Sequence, residues 1–319
     1  MTKSIRIAAL ILIVALAGVA ATFERGIRMA TMPEQLNEIS GMAASRHQEG
    51  VLWVHNDSGS SPTVYAVSTE GKLLGAFRLK GARAVDWEDM AIGPAPDGGS
   101  YLYLADIGDN NGRRPSVQIY RVKEPTVDLH NENPNPPVIL DGVDRYDITY
   151  SVGPRDAEAF MVDPLTGDFY IVTKREWQNL LFRAENPAPG SELTLEPVES
   201  FLFAGTTGGD ISPDGLSVVL RRYASERNLF TPPETAASYW HRADASTSLV
   251  DLLAQEAEVV PLLPEAQGEA IAFAPDESGF YTTSEHGSPR FGVERPAPLN
   301  FYPISPGGRR AAGTASNPN

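Results

Sequence analysis

The sequence contains no cysteine. That excludes a disulfide, a thiolate metal site, a cysteine nucleophile and a lipid anchor on cysteine. The fold must therefore rest on its hydrophobic core alone, which a chain of 319 residues is long enough to build. Histidine is scarce. The five, at 47, 55, 130, 241 and 286, show no ligand spacing, and H-E-x-x-H, G-x-S-x-G and a phosphate loop are all missing. His55 alternates with Trp53 along a strand and reads as half-buried, while His286 beside Glu285 has the chemistry of an acid or base. Positive charge is in deficit, with 26 Lys and Arg against 41 Asp and Glu and a net charge of −15. A surface this acidic argues against nucleic acid or an anionic membrane as partner. It suits a cation ligand, or simply solubility.

Long apolar runs are also few. The one at Ile7 to Val19 is short for a membrane span. Lys3 and Arg6 precede it and Gly18-Val19-Ala20-Ala21 follows, which is the layout of an export signal over residues 1–21, cut after Ala20 or Ala21. An uncleaved anchor is the rival reading. The expected location is secreted or periplasmic, with no other membrane contact, as a monomer.

What the chain does have is a phrase written five times. An acidic or hydroxyl residue opens a short apolar run, a Pro/Asp/Gly turn follows, and a second, aromatic or β-branched run ends in a polar loop. The phrase is fullest at Asp86-Trp-Glu-Asp-Met-Ala-Ile92, with Pro94 to Gly99 as the turn and Tyr101 to Asp106 as the second run. It returns at Ile39 to Asp57, at Ala157 to Thr173, at Asp210 to Arg221 and at Glu269 to Glu285. An all-β unit of roughly 40 to 50 residues is the signature of a four-stranded propeller blade. The expected fold is all-β: a single propeller over residues 22–306, five blades rather than six, ahead of a two-sheet sandwich. A strand near Gly26 to Ala30 should complete the last blade, which otherwise lacks one. Ser246 to Ala257 reads as a short helix inserted in blade four, with Ser248 or Ser246 as its N-cap. Residues 307–319, rich in Gly, Arg, Ser and Pro, read as a disordered tail.

In a propeller the first strand of each blade lines the channel, so residues at one phase of the repeat converge on the axis. Those residues are Ser40, Glu88, Glu158, Asp210 and Glu269. Carboxylates facing one another repel unless they are protonated or neutralised by a cation. Oxygen-only ligands select a hard ion and suit Ca²⁺. Asp86, Asp89 and Asp156 stand near enough in sequence to orient ligands or cap the mouth. A second set closes the second strands: Asp57, Asp106, Asp109, Arg114, Lys174, Arg175, Arg221 and Glu285 among them. Acids beside paired cations could hold an anionic group next to a metal. A solvated polar rim is the plainer reading for any one of them.

The motifs D-W-E-D-M-A (86–91), Y-L-Y-L-A-D-I-G-D-N (101–110), D-A-E-A (156–159), G-D-I-S-P-D-G (209–215) and G-E-A-I-A-F (268–273) resemble a family of secreted bacterial propellers without a settled activity. More distantly the layout is similar to the calcium-activated nucleotidase type of apyrase, a five-bladed propeller with a channel Ca²⁺ held by Ser or Glu of the inner strands. The resemblance places Ser40, Glu88, Glu158 and Glu269 as ligands and sets Asp57, Lys174 and Arg175 where that family has an acid and a basic pair. Asp210 departs from the hydroxyl the pattern has there. Phytase-like and lactonase-like propellers share the architecture with six blades. The resulting expectation is a secreted, calcium-dependent hydrolase of a phosphoric ester or anhydride, a small anionic compound. Asp57 or Glu285 would be the base, and Lys174, Arg175 or Arg221 would steady charge. The alternative is a non-catalytic extracellular or envelope binding module with a structural calcium, taking an extracellular ligand.

Overall fold

The computed structural model of the chain describes residues 22–59, 61–131, 134–224, 234–287, 296–306 and 308. The expected export signal at 1–21 and the expected tail at 307–319, Gly308 apart, lie outside the described residues, as does 225–233 of the blade-four insertion. A first strand, β1 (Ile27–Thr31), precedes five antiparallel runs. Blade one holds β2 (Ile39–Ala44), β3 (Val51–Asn56), β4 (Thr63–Ser68) and β5 (Leu73–Leu79). Blade two holds β6 (Trp87–Pro94), β7 (Ser100–Asp106) and β8 (Val117–Lys123); after an excursion, β9 (Val138–Leu140), it ends in β10 (Asp144–Tyr150). Blade three holds β11 (Ala157–Val162), β12 (Phe169–Thr173) and β13 (Leu180–Ala184); after β14 (Glu192–Leu195) it ends in β15 (Pro197–Ser200). Blade four holds β16 (Thr206–Ile211), β17 (Ser217–Ala224) and β18 (Glu234–His241), then a helix α1 (Leu249–Leu253), then β19 (Glu258–Pro261). Blade five holds β20 (Gly268–Phe273), β21 (Gly279–Ser284) and β22 (Pro298–Pro303).

The inner strands form a closed cycle: β2 lies beside β6, β6 beside β11, β11 beside β16, β16 beside β20, and β20 beside β2. The fold is a five-bladed β-propeller, and the six-bladed and sandwich readings fall. The ring closes as the sequence implied. β1 runs antiparallel to β22, with Ile27 opposite Phe301 and Thr31 opposite Pro298, and so supplies the fourth strand of blade five. The inserted helix is shorter than 246–257. Ser248 caps it by accepting the Asp251 amide at 3.1 Å, and Leu249, Leu252 and Leu253 are buried beneath it.

Two strands were not expected. β9 runs parallel to β5, and β14 runs parallel to β10. Each belongs to the third-to-fourth connection of one blade and pairs with the outer edge of the blade before it. An open edge is a template for unwanted pairing, and these short strands cover it.

The core is divided among the seams between blades. Trp53 and Phe77 of blade one meet Trp87 and Met90 of blade two. Tyr103 and Tyr146 of blade two meet Phe160, Phe169 and Phe182 of blade three. Met161 and Tyr170 meet Leu220, Trp240 and α1. Val219 and Tyr239 meet Phe273, Phe280 and Tyr302. Met42 and Val54 meet Ala270 and Leu299, closing the circle. Alternate residues of one strand therefore pack into two different seams. That is why these strands read as nearly continuous apolar runs, as in a sheet covered on both faces.

Candidate metal centre

All five inner strands start at the same mouth of the channel. One residue into each, the register with the second strand slips. The residue left over is Ser40, Glu88, Glu158, Thr207 or Glu269. A bulge of this kind takes a residue out of the ladder and re-aims its side chain, and all five are buried. Four of them are the ones the repeat picked out. Asp210 is a correction. It stands three positions past the bulge, about 10 Å further down the channel at the rise of a strand. There its carboxylate accepts the amides of Ile211 and Phe273, both at 2.8 Å, and ties β16 to β20. Thr207 occupies the fourth place in the ring instead, and its hydroxyl donates to the Gly268 carbonyl at 2.9 Å. Ser40 Oγ likewise donates to the Glu88 carbonyl at 2.5 Å, so each hydroxyl fastens its strand to the next.

The acids crowd together. Oxygens of Glu88, Asp156 and Glu158 lie within 4.8 Å of one another, and so do oxygens of Asp57, Asp86 and Glu88. Gly108 makes room for them: a Cβ there would stand 2.1 Å from Glu88 Oε1 and 2.6 Å from Asp86 Oδ2. Two cations answer this charge. Arg175 donates to Asp156 and to the Asn110 side chain. Lys174 donates to Glu158, and its Nζ lies 3.9 Å from Glu269 Oε2. That oxygen of Glu269 is buried and has no hydrogen-bond partner.

Burial and mutual repulsion raise the proton affinity of the whole group. Burial, joined by Glu158, Asp57 and Asp86, pushes Glu88 well above the usual carboxylate range against the pull of Lys174. Burial takes Glu158 to about 8 and Glu269 to about 7, with Lys174 opposing in each case. Glu285 rises to about 7 through burial and the charges of Asp57 and Glu38, and Asp86 to about 6 through burial, Asp57 and Asp156. Asp57 rises too, chiefly by burial. Burial alone would favour loss of the Lys174 proton, but Glu269, Glu158 and Glu88 outweigh it and hold the ammonium charged.

Of the second set, the structure brings Asp57, Lys174, Arg175 and Glu285 to this mouth. Glu285 accepts from Gln267 at 2.8 Å and borders a polar pocket of about 540 Å³ with Glu34, Asn37, Glu38, His286 and Pro296. Asp106 and Asp109 act on the backbone. Asp106 accepts the Val85 and Asp86 amides and pairs with Arg114 at 2.8 Å; Asp109 accepts the Arg113 and Arg114 amides. Arg221 sits beneath the mouth rather than at its rim. It is fully buried, paired with Glu265, and donates to the carbonyls of Ala270 and Thr283. Its charge acts on Glu269 from below, but a buried and already paired guanidinium does not meet an anionic group at the rim. His55 is fully rather than half buried, and burial pushes its pKa down to about 4 in spite of the carbonyls of Asn56 and Asp89. Asp89 neither orients a ligand nor caps the mouth. It lies inside, where Oδ1 accepts the Met90 amide and Oδ2 those of Phe160 and Gly209.

One more feature of the mouth face carries no motif in the sequence. Trp177, between β12 and β13, and Leu202, just after β15, are 92% and 90% exposed. Both stand on connections of this face. Backbone hydrogen bonds from Asn179 to Phe203 and from Phe201 to Asn179 hold these connections side by side.

No protein-family model matches the chain, and no curated relative does. Among solved structures, the hydrazine synthase of Kuenenia stuttgartiensis aligns at 16% identity over 78% of this chain and 56% of that one, with a TM-score of 0.38. The nidogen/laminin complex aligns at 11% identity over 78% and 73%, with a TM-score of 0.42. A structure of the Dos1 propeller aligns at 9% identity over 88% and 94%, with a TM-score of 0.36. Likeness of this size carries no activity across, and the architecture stands on the strand order of the chain itself. Among the described residues, no helix is long and apolar enough to cross a membrane.

Proposed function

We propose that the channel mouth binds one calcium ion on the propeller axis. Glu88, Glu158 and Glu269 supply the charge, with Ser40 and Thr207 beside them. The observation that carries this reading is Glu269 Oε2, a buried oxygen with no hydrogen bond, 3.9 Å from Lys174 Nζ, beside acids that outnumber the two cations among them. Hard oxygen donors without sulfur or imidazole suit calcium. Thr207 also restores the hydroxyl that the nucleotidase-type pattern has in this blade.

The reaction we infer is metal-dependent hydrolysis of a phosphoric ester or anhydride by an exported protein. A bound calcium would polarise a phosphoryl oxygen or a water. Asp57 stands in the acid cluster with Asp86 and Glu88, and Glu285 lines the pocket beside Glu38. Both have raised proton affinity, and Glu285 at about 7 suits a base working near neutral pH. Arg175, already fixed by Asp156 and Asn110, would orient an anionic group at the rim. A second reading is a binding module with a structural calcium, and the exposed Trp177 and Leu202 on the mouth face favour it.

Turnover decides between them. The protein lacking residues 1–21 is assayed on nucleotides, phytate, aryl phosphates and lactones, with and without calcium, beside a Glu158→Gln variant. Calcium-dependent turnover lost in the variant supports the hydrolase. Calcium binding with no turnover on any of these compounds leaves the binding module.

A further inference from the structure

Lys174 lies where a channel ion would sit. It reaches inward from the end of β12, its side chain only 20% exposed, donates to Glu158 and stands 3.9 Å from the Glu269 oxygen that has no hydrogen bond. A calcium bound by both carboxylates would lie about 2.4 Å from each oxygen. The ammonium and the ion therefore compete for one space. Lys174 also differs from its neighbour in how it is held. Arg175 is fixed by two partners on other loops, Asp156 and Asn110, whereas the contacts of Lys174 are with carboxylates of the channel itself. A lysine ends in a compact charge on four rotatable carbons, so it can leave without moving the backbone. Other carboxylates are close by: an oxygen of Asp57 lies within 4.8 Å of oxygens of Asp86 and Glu88, and the Lys174 charge acts on both Asp57 and Glu285.

We propose that Lys174 is a tethered counter-ion that a divalent cation must exchange with, swinging from Glu158 and Glu269 toward Asp57 and Glu285 as the ion enters. This rests on the channel-ion reading above and adds its regulation. The exchange sets the threshold at which the ion binds, because every binding event must first break the Lys174–Glu158 pair. It also couples the two: the ion's arrival delivers a positive charge to the rim, where an anionic group would meet it.

Two measurements test this. Calcium affinity is measured by calorimetry on the wild-type protein and on Lys174→Met and Lys174→Gln, each checked for a cooperative melt. The folded variants are expected to bind about tenfold more tightly or better, a difference of about 1.4 kcal/mol. Acetylation of Lys174, followed by mass spectrometry, is measured on the wild-type protein with and without saturating calcium, and is expected to speed up with the ion. Wild-type binding with equal or weaker binding in the folded variants overturns the exchange and leaves the ion site standing. So does saturation by calcium with no change in Lys174 acetylation, which decides the matter if neither variant folds. No binding to wild type but binding to a lysine variant supports the exchange. No binding to any form overturns both readings.

Discussion

Asp89 and Gly209 stand 120 residues apart, and the buried carboxylate of the first accepts the amide of the second at 3.0 Å. The same oxygen accepts the Phe160 amide at 2.9 Å, so one side chain of blade two pins the inner strands of blades three and four. Replacing Asp89 by Ala strands three buried amides, those of Met90, Phe160 and Gly209. At about 1–3 kcal/mol for each unsatisfied donor, the loss should be about 3–9 kcal/mol. Urea denaturation measures it, and a loss below about 1 kcal/mol would show that these amides find other acceptors.

Thr207 and Asp210 are predicted to separate in their effect on the ion. Thr207→Ala should weaken calcium binding several-fold by removing an oxygen from the ring of bulged residues. Asp210→Asn should lower the melting temperature, because an acceptor of the Phe273 and Ile211 amides is altered, yet leave calcium affinity within about twofold of wild type, a difference under about 0.5 kcal/mol. The reverse order in a calorimetric titration would restore Asp210 to the ligand set.

Much of this architecture was legible in the sequence, and the errors have physical causes. Each blade repeats one hairpin, and each inner strand feeds two seams, so the apolar runs are strong and regular. Blade four broke the pattern. Its inner strand begins Thr206-Thr-Gly-Gly, with little apolar content, and the first acid, Asp210, imitated the phase of the others. Spacing held the signal. Ser217 opens β17 seven positions after Asp210 but ten after Thr207, and Gly279 opens β21 ten after Glu269. β9 is three residues long and mostly exposed, and it pairs with a strand of the previous blade; local pattern does not carry such a contact. Asp89 and Arg221 looked like mouth residues because polarity in a sequence does not tell a buried anchor from a rim.

Stability should depend on pH through the same acids. Glu158 and Glu269 sit at about 8 and about 7 in the fold against 4.5 as their ordinary value. Between those limits the folded protein binds more protons than the unfolded chain. Stability therefore falls as pH rises from about 4.5 to about 8. In EDTA the melting temperature should be higher at about pH 5 than at about pH 8, and Glu158→Gln should shrink that difference. Calcium bound to the ionised carboxylates, as proposed above, would shrink it as well. A melting temperature in EDTA that rises across this interval would contradict the shifts.

Gly108→Ala should act on the ion site at little cost to the ring. Its Cβ would meet Glu88 Oε1 and Asp86 Oδ2, the movable ends of two side chains, so the carboxylates must shift rather than the backbone. The expected outcome is calcium binding weakened about tenfold, near 1.4 kcal/mol, with a melting temperature in EDTA close to wild type. Unchanged binding would place the ion away from Glu88.

The latch of β1 on β22 makes the oldest strand wait for the youngest. Ile27 is synthesised early and finds its partner only when Phe301 has been made. The strand itself is mostly exposed, with buried Phe23 on one side and Met32 on the other as its anchors. Little apolar surface then holds it between those two points, so releasing it costs less than parting any seam. Opening should start there: amide exchange at residues 27–31 would run ahead of the inner strands, and the circle would come undone at its clasp while four blades are still stacked.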